Sequence, residues 1–438
     1  MQPIINRLRT ISPVIYSGRI VRIMPSWLEA DGPNVSLGTL CRIFNNANEA
    51  ISLAEVVRVD GNGIAMAPLG NVQGLSLGAR VEAVGEMAEL PVGMTFLGRA
   101  VDALGKPIDG GAPIMASDYY PLNPDPPSPL DRESGVSLLE TGIRAIDGFH
   151  PLSRGQRIGV FAASGVGKTS LLSQLVRQVD ADICVCCLVG ERGREVEATW
   201  SRDLSGTSRM RSVMIAATSD QAAALRVRAV HQAVALARYY RDAGLHVMLL
   251  IDSVTRYAMA LREMGLAAGE PPTVRAYTPN IFSAIPRMVE QAGALQSGGS
   301  ISAIMTILSE TDDVDDPLSE LMKSLLDGHI ILSRGLAERG HFPAIDPLKS
   351  ISRNANTIMT DRHLRSAHAA QALLECFDRS RTMIETGLYS AGSNADVDAA
   401  IRARPELESV LRQGQAERSN LDATIDMIEA AVGTYVTA

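Results

Sequence analysis

The residues best suited to chemistry lie in one stretch, Ala162-Ala163-Ser164-Gly165-Val166-Gly167-Lys168-Thr169-Ser170. Gly165 and Gly167 let backbone N–H groups turn inward around phosphate oxygens. A helix starting at this point adds partial positive charge to the same spot. Lys168 supplies a mobile cation for the terminal phosphates, and Thr169 a hydroxyl for Mg²⁺. The usual phosphate-loop pattern opens with glycine; here that position is Ala162. A second chemical group ends the run Val247-Met248-Leu249-Leu250-Ile251-Asp252. An acid there can hold the water shell of Mg²⁺ opposite Thr169, and it can equally serve as a helix N-cap. A third cluster is Gly190-Glu191-Arg192-Gly193-Arg194-Glu195. Hydrolysis of a phosphoanhydride needs an oriented water, which the carboxylate of Glu191 can hold or deprotonate, while Arg192 can reach the γ-phosphate. The same charges also fit a solvated surface run. Arg353, in Leu348-Lys349-Ser350-Ile351-Ser352-Arg353, carries no compositional mark that separates it from a surface arginine.

These groups need elements to bring them together. Apolar runs at 158–161, 183–189, 213–216, 247–251 and 301–308 suit buried parallel strands, and helix-like stretches such as 220–243 alternate with them. The pattern is a doubly wound α/β sheet with nucleotide at the C-terminal edge of its strands. The phosphate loop sits between the 158–161 strand and a helix carrying Leu172, Leu175, Val176 and Val179 at helical spacing. Upstream, from about Ser12 to Gly85, short alternating runs broken by turns such as Asp60-Gly61-Asn62-Gly63 predict a small β-barrel. Five prolines within nine residues, from Pro121 to Pro129, mark an extended connector, either flexible or packed. After about Asn354 strands give way to amphipathic helices at 362–385, 406–415 and 420–432.

Length and composition bound the rest. A chain of 438 residues implies two or three domains with a sizeable core. A net charge of −8 argues against a protein built to grip nucleic acid. No apolar run approaches the ~20 residues that span a bilayer, and residues 1–12, interrupted by Arg7 and Arg9, do not read as a signal peptide. Five cysteines lack metal spacing, and Cys184, Cys186 and Cys187 fall in a core strand, as buried thiols of a reducing compartment would.

Taken together, the phosphate loop, GERGREV, LLIDSVTRYAMALRE, GEPP, LDGHIILSR, GHFPAIDPLKSISR and LETGIRAIDGF resemble the ATPases of type III protein export, relatives of the catalytic subunit of rotary ATP synthases. That family often has alanine at the place of Ala162. The resemblance implies an N-terminal β-barrel (1–88), a RecA-like parallel-sheet P-loop ATPase domain (89–355) and a C-terminal helical domain (356–438). It implies a homohexamer that binds ATP and Mg²⁺ between neighbouring subunits. By motif position, Ser164, Gly165, Val166, Gly167, Lys168, Thr169 and Ser170 hold the phosphates, and Thr169 and Asp252 the metal. Glu191 polarises water, Arg192 contacts the γ-phosphate, and Arg353 reaches into the neighbour's site. Phe342 lies where relatives often place a tyrosine against adenine; stacking survives the change and a phenolic hydrogen bond does not. Ser309-Glu310-Thr311-Asp312-Asp313 stands where relatives often read VEGDD, and receives no catalytic role.

The implied activity is ATP hydrolysis that releases or unfolds chaperone-bound substrates at a flagellar or injectisome export gate. The implied place is cytoplasmic, peripheral to the inner-membrane export apparatus. Implied partners are the stator or negative regulator, a central-stalk protein, chaperone–substrate complexes and the membrane gate, with no nucleic acid. Two other readings share the core. A rotary or vacuolar-type ring subunit would form rings only with a partner subunit. A terminator-type RNA helicase would need a basic, aromatic N-terminal surface.

Overall fold

The computed structural model describes residues 16–24, 26–84, 89–133, 137–308 and 316–433. The expectations for residues 1–12, for the ends of the barrel at 12–15 and 85, and for the acidic stretch 309–313 fall outside them.

Six short strands form the N-terminal unit: β1 (Ser17–Ile23), β2 (Leu28–Ala30), β3 (Leu40–Phe44), β4 (Ala50–Asp60), β5 (Gly63–Pro68) and β6 (Arg80–Ala83). They close in the order β1-β2-β5-β4-β3-β6, and β6 returns to pair with β1 through Ser17↔Glu82. Alternation puts Ile20, Leu28, Cys41, Ile43, Val56, Met66 and Val81 into one interior. Gly18 is required where it stands: a Cβ would sit 2.2 Å from the Gly32 carbonyl carbon.

The central unit is a parallel sheet. Its strands are β7 (Ala100–Val101), β8 (Arg157–Ala162), β9 (Ile183–Glu191), β10 (Ser212–Thr218), β11 (His246–Asp252), β12 (Ser300–Leu308), β13 (Gly328–Leu332) and the antiparallel edge strand β14 (Ile351–Ser352). The spatial order is β14-β13-β8-β12-β11-β9-β10-β7. All five runs read as strands from sequence are strands here. β7, β13 and β14 were not read, because two to five residues carry too little periodicity to separate strand from loop. Side chains alternate between two cores. Cys187, Leu249 and Met305 pack under the helices α2 (Ala223–Asp242), α3 (Val254–Ala267) and α4 (Pro279–Val289). Cys184, Cys186 and Leu250 pack on the opposite face, which holds the phosphate-loop helix α1 (Lys168–Gln178). Burial pushes the Cys184 thiol up to about 12, so it stays protonated.

The proline-rich connector is packed. Gln291 donates to the Pro124 carbonyl, and Arg132 donates to the carbonyls of Ala292 and Glu290.

Three helices end the described chain: α5 (Asp361–Glu385), α6 (Ala395–Leu411) and α7 (Leu421–Val432), each opened by a side-chain cap from Thr360, Asn394 or Asn420. The middle helix, expected at 406–415, starts earlier, at Ala395, and ends at Leu411. Pro405 lies inside it, and the Asn394 cap fixes the start. These helices dock on the LETGIRAIDGF segment. Gln413 donates to the Gly142 carbonyl and accepts from Arg144 N–H, and the Arg144 guanidinium pairs with Glu417. Asp147 accepts from Thr141 and Gly142, which holds that platform in shape. Among the described residues no helix is long and apolar enough to cross a membrane.

Candidate active site

β8 delivers its C-terminal end to a tight loop, and α1 begins at Lys168. The turn needs left-handed backbone at Gly165 (φ 80°) and Gly167 (φ 92°). At Gly167 the need is double, because a Cβ would lie 3.3 Å from the ring of Phe342. Phe342 thus lies against the phosphate loop, held there by its carbonyl accepting from Gln413 N–H, with 46% of its surface exposed. A ring in this position can stack on a base whose phosphates enter the loop. Val166 is buried, whereas Ser164, Gly165 and Thr169 face outward.

Neighbouring strands carry the acids to the same edge. β9 and β11 pair in parallel with Leu188↔Asp252, so both strands end at one edge of the sheet, Glu191 three residues past that pair. Both meet Lys168: its ammonium pairs with Asp252 Oδ1 and lies 3.4 Å from Glu191 Oε1. The three side chains are only 12%, 5% and 13% exposed in the order Lys168, Asp252, Glu191, so their charges interact strongly. Burial raises the Glu191 pKa, Lys168 opposes that shift, and Asp252 and Glu195 add to it. A carboxylate of raised pKa is a better proton acceptor that still ionises.

Asp252 is not a helix cap. Ser253 caps α3, its hydroxyl accepting from Arg256 N–H at 3.3 Å. The Asp252 carboxylate instead accepts from Thr306 Oγ1 at 2.7 Å. Sequence reasoning passed over Thr306, which is fully buried in β12. Its signal was present: a hydroxyl inside the apolar run Ile304-Met305-Thr306-Ile307 must find a polar neighbour.

Arg192 ends β9's exit and precedes the short helix Gly193–Ala198, with its side chain exposed. Arg353 lies elsewhere. Its N–H donates to the Asp327 carbonyl, and Asp327 N–H donates to the Arg157 carbonyl, so Arg353 sits level with the start of β8. The phosphate loop follows the end of that strand, ~17 Å farther along at about 3.3 Å per residue. The guanidinium is exposed and touches only the Lys323 carbonyl at 3.3 Å among its described hydrogen bonds. The fold therefore gathers Lys168, Glu191, Asp252 and Phe342 around one loop and leaves Arg353 on the opposite edge.

Comparison with known proteins follows the same division. The nucleotide-binding domain of the ATP synthase alpha/beta family matches residues 142–352. The type III secretion EscN ATPase C-terminal domain matches residues 359–430. The flagellum-specific ATP synthase of Bacillus subtilis (strain 168) is 40% identical over 419 residues, 95% of each chain. The assembled ATPase EscN of enteropathogenic E. coli superposes with a TM-score of 0.90 at 36% identity, covering 95% of this chain and 100% of that one. EscN in complex with its central stalk EscO gives 0.87 at 35%, with the same coverage. Identity at this level, sustained through barrel, sheet and terminal helices, goes beyond a shared fold: the chain belongs to the family of type III secretion and flagellum-specific ATPases, and its activity is ATP hydrolysis.

Proposed function

We propose that this ATPase works as a ring of identical subunits whose sites are each completed by a neighbour, and that its hydrolysis energises export of proteins at a membrane gate. The observation that carries this reading is the placement of two kinds of residue. Lys168, Glu191 and Asp252 surround one phosphate loop, whereas Arg353 is exposed at the far edge of the same sheet. An arginine on that edge faces outward from its own site and is free to reach another.

In the mechanism, the backbone N–H groups of residues 164–170 hold the β- and γ-phosphates, and Lys168 moves from the carboxylates to the phosphate oxygens. That move frees Glu191, whose raised pKa suits it to hold a water in line and accept its proton. Phe342 positions the adenine. Arg192, exposed beside Glu191, contacts the γ-phosphate. The neighbour's copy of Arg353 then stabilises charge on the transferring group, a contribution worth ~10³–10⁵ in rate for arginine fingers. Thr169 and Asp252 line one small cavity beneath the loop, and their hydroxyl and carboxylate oxygens are the ligand types that Mg²⁺ takes. Bound there, Mg²⁺ would neutralise charge on the β- and γ-phosphate oxygens.

EscN, so similar throughout, forms an assembled ATPase and a complex with its central stalk. By that likeness we assign this chain a hexameric ring, a central-stalk partner, a stator or negative regulator, and chaperone-bound substrates that it releases or unfolds. The same likeness assigns it to the cytoplasmic face of the inner-membrane export apparatus. The C-terminal match to the export branch favours this reading over a rotary synthase subunit. The test is ATPase rate per subunit against protein concentration, with mass followed by light scattering. The rate should climb as rings of one chain appear. A flat rate from a monomer would remove the shared site, and rings that need a second kind of subunit would return the chain to the rotary synthases.

A further inference from the structure

Away from the phosphate loop, a cavity of about 360 Å³ lies where the barrel meets the ATPase unit. Residues 37–38 and 55–57 of the barrel form one wall, and the connector at 121–124 another. The remaining walls are α2, α3 and the end of α4, with Val227, Val234, Leu261, Met264 and Met288 giving an apolar lining. That size and lining, at a junction of domains, are those of a small-molecule site rather than of a packing defect.

Two polar side chains in the lining are incompletely satisfied. Gln291 is 2% exposed; its amide nitrogen donates to the Pro124 carbonyl at 3.1 Å, which fixes the amide orientation and leaves Oε1 without a partner. His231 meets the Tyr257 hydroxyl through Nε2 at 3.3 Å and leaves Nδ1 without a partner. Burial, followed by the nearby Arg228 charge, lowers its pKa to about 4, so the ring is neutral. Buried polar atoms without partners are uncommon, and an unmet carbonyl oxygen calls for a donor. Among the charged groups that line the cavity, Glu55 pairs with Arg228 and Glu270 accepts from Asn280 N–H, while Arg287 stands solvent-exposed at the rim. An ion drawn into the apolar interior would therefore lose hydration, since the Arg287 charge stays in water at the rim.

We propose that the cavity is a binding site for a small, uncharged, mostly apolar molecule carrying a hydroxyl or N–H donor. The donor addresses Gln291 Oε1 or, in the matching tautomer, His231 Nδ1, by a small rotation of either side chain. Its apolar body fills the space between α2, α3 and α4. Tyr257, Leu261 and Met264 share one face of α3, the helix that begins two residues after Asp252. An occupant thus bridges the barrel and the helix that leaves the active-site acid, which makes this a site for an effector rather than a substrate.

The probe is 2-naphthol, neutral and equipped with one hydroxyl donor, added to the full-length chain and followed by equilibrium dialysis. Its donor-free analogue 2-methoxynaphthalene is measured beside it. One saturable site per chain is expected, still present at saturating ATP, with the analogue at least fivefold weaker. Ser283→Trp at the exposed mouth and Ala235→Leu from within should each weaken 2-naphthol at least tenfold. Absence of saturable binding, unchanged affinity in both variants, or displacement by ATP would overturn the site. Should either variant fail to fold, the comparison of the two probes on the unaltered chain still decides, because equal binding of both removes the donor requirement.

Discussion

Replacing Thr306 with valine deletes one hydroxyl and keeps the side chain's shape. In the folded chain that hydroxyl donates at 2.7 Å to Asp252 Oδ1, and both residues are buried, at 0% and 4% exposure. The same carboxylate oxygen takes the Lys168 ammonium. In the proposed mechanism phosphate binding draws the ammonium away, and Thr306 is then the side chain left to orient the acid. A hydrogen bond to a charged group is worth about 1.5–3 kcal/mol. At 1.36 kcal/mol per factor of ten, the loss corresponds to about 10- to 150-fold in kcat/KM. Thr306→Ser keeps the oxygen and should restore most of the activity. The assay is steady-state phosphate release across a Mg²⁺ titration, with thermal melting of each variant as the control for folding. The valine variant should need more Mg²⁺ as well as turning over more slowly. A folded Thr306→Val protein within twofold of the parent would refute the assignment. A serine variant as slow as valine would show that keeping the hydroxyl does not restore activity, and would detach the defect from this hydrogen bond.

Other consequences are as direct. Because burial raises the Glu191 pKa, the base is lost to protonation above the ordinary range of a glutamate; kcat should fall on the acid side along a limb that Glu191→Gln abolishes, and a limb unchanged in that variant would exonerate Glu191. Burial also holds His150, His231 and His246 neutral, with pKa values lowered to about 4. A depressed folded pKa gives stability that is present above the unfolded value of ~6.5 and lost as pH falls toward 4. Denaturant midpoints should therefore drop between about pH 7 and 5, and His150→Gln, which keeps the donor to the Pro347 carbonyl, should flatten the slope. The barrel is tied to α2 by Glu55 and Arg228, an ion pair 3.1 Å long with both side chains under 10% exposed. Arg228→Ala strands a buried carboxylate and should cost about 3–5 kcal/mol, read as earlier proteolysis at the barrel junction; unchanged protection would show that apolar contact alone seats the barrel.

The ease with which sequence exposed each part of this molecule follows from the range of the interactions involved. The phosphate loop was legible because its glycines, lysine and threonine are contiguous and their chemistry is local. The five long core strands were legible because burial on both faces leaves runs of apolar residues. The contact between Thr306 and Asp252 was not, since it joins positions 54 residues apart through strand pairing that spacing does not encode. Phe342 and Arg353 carry no local signal; only resemblance to a family drew attention to them. The start of α6 was misplaced; the Asn394 cap fixes it, and Pro405 lies inside the helix.

The central claim is that Lys168 and Arg353 of one chain serve different sites. It is tested most directly by mixing Lys168→Ala and Arg353→Ala chains, each inactive alone, and measuring ATPase after the rings re-form. With random assembly of a closed ring, about one site in four pairs an intact phosphate loop with a neighbour's intact arginine. The account predicts activity in the mixture well above the sum of the separate variants, approaching that fraction of the parent rate. A mixture no more active than its components, in rings shown by mass to contain both chains, would place Arg353 and Lys168 in the service of the same site or remove Arg353 from catalysis.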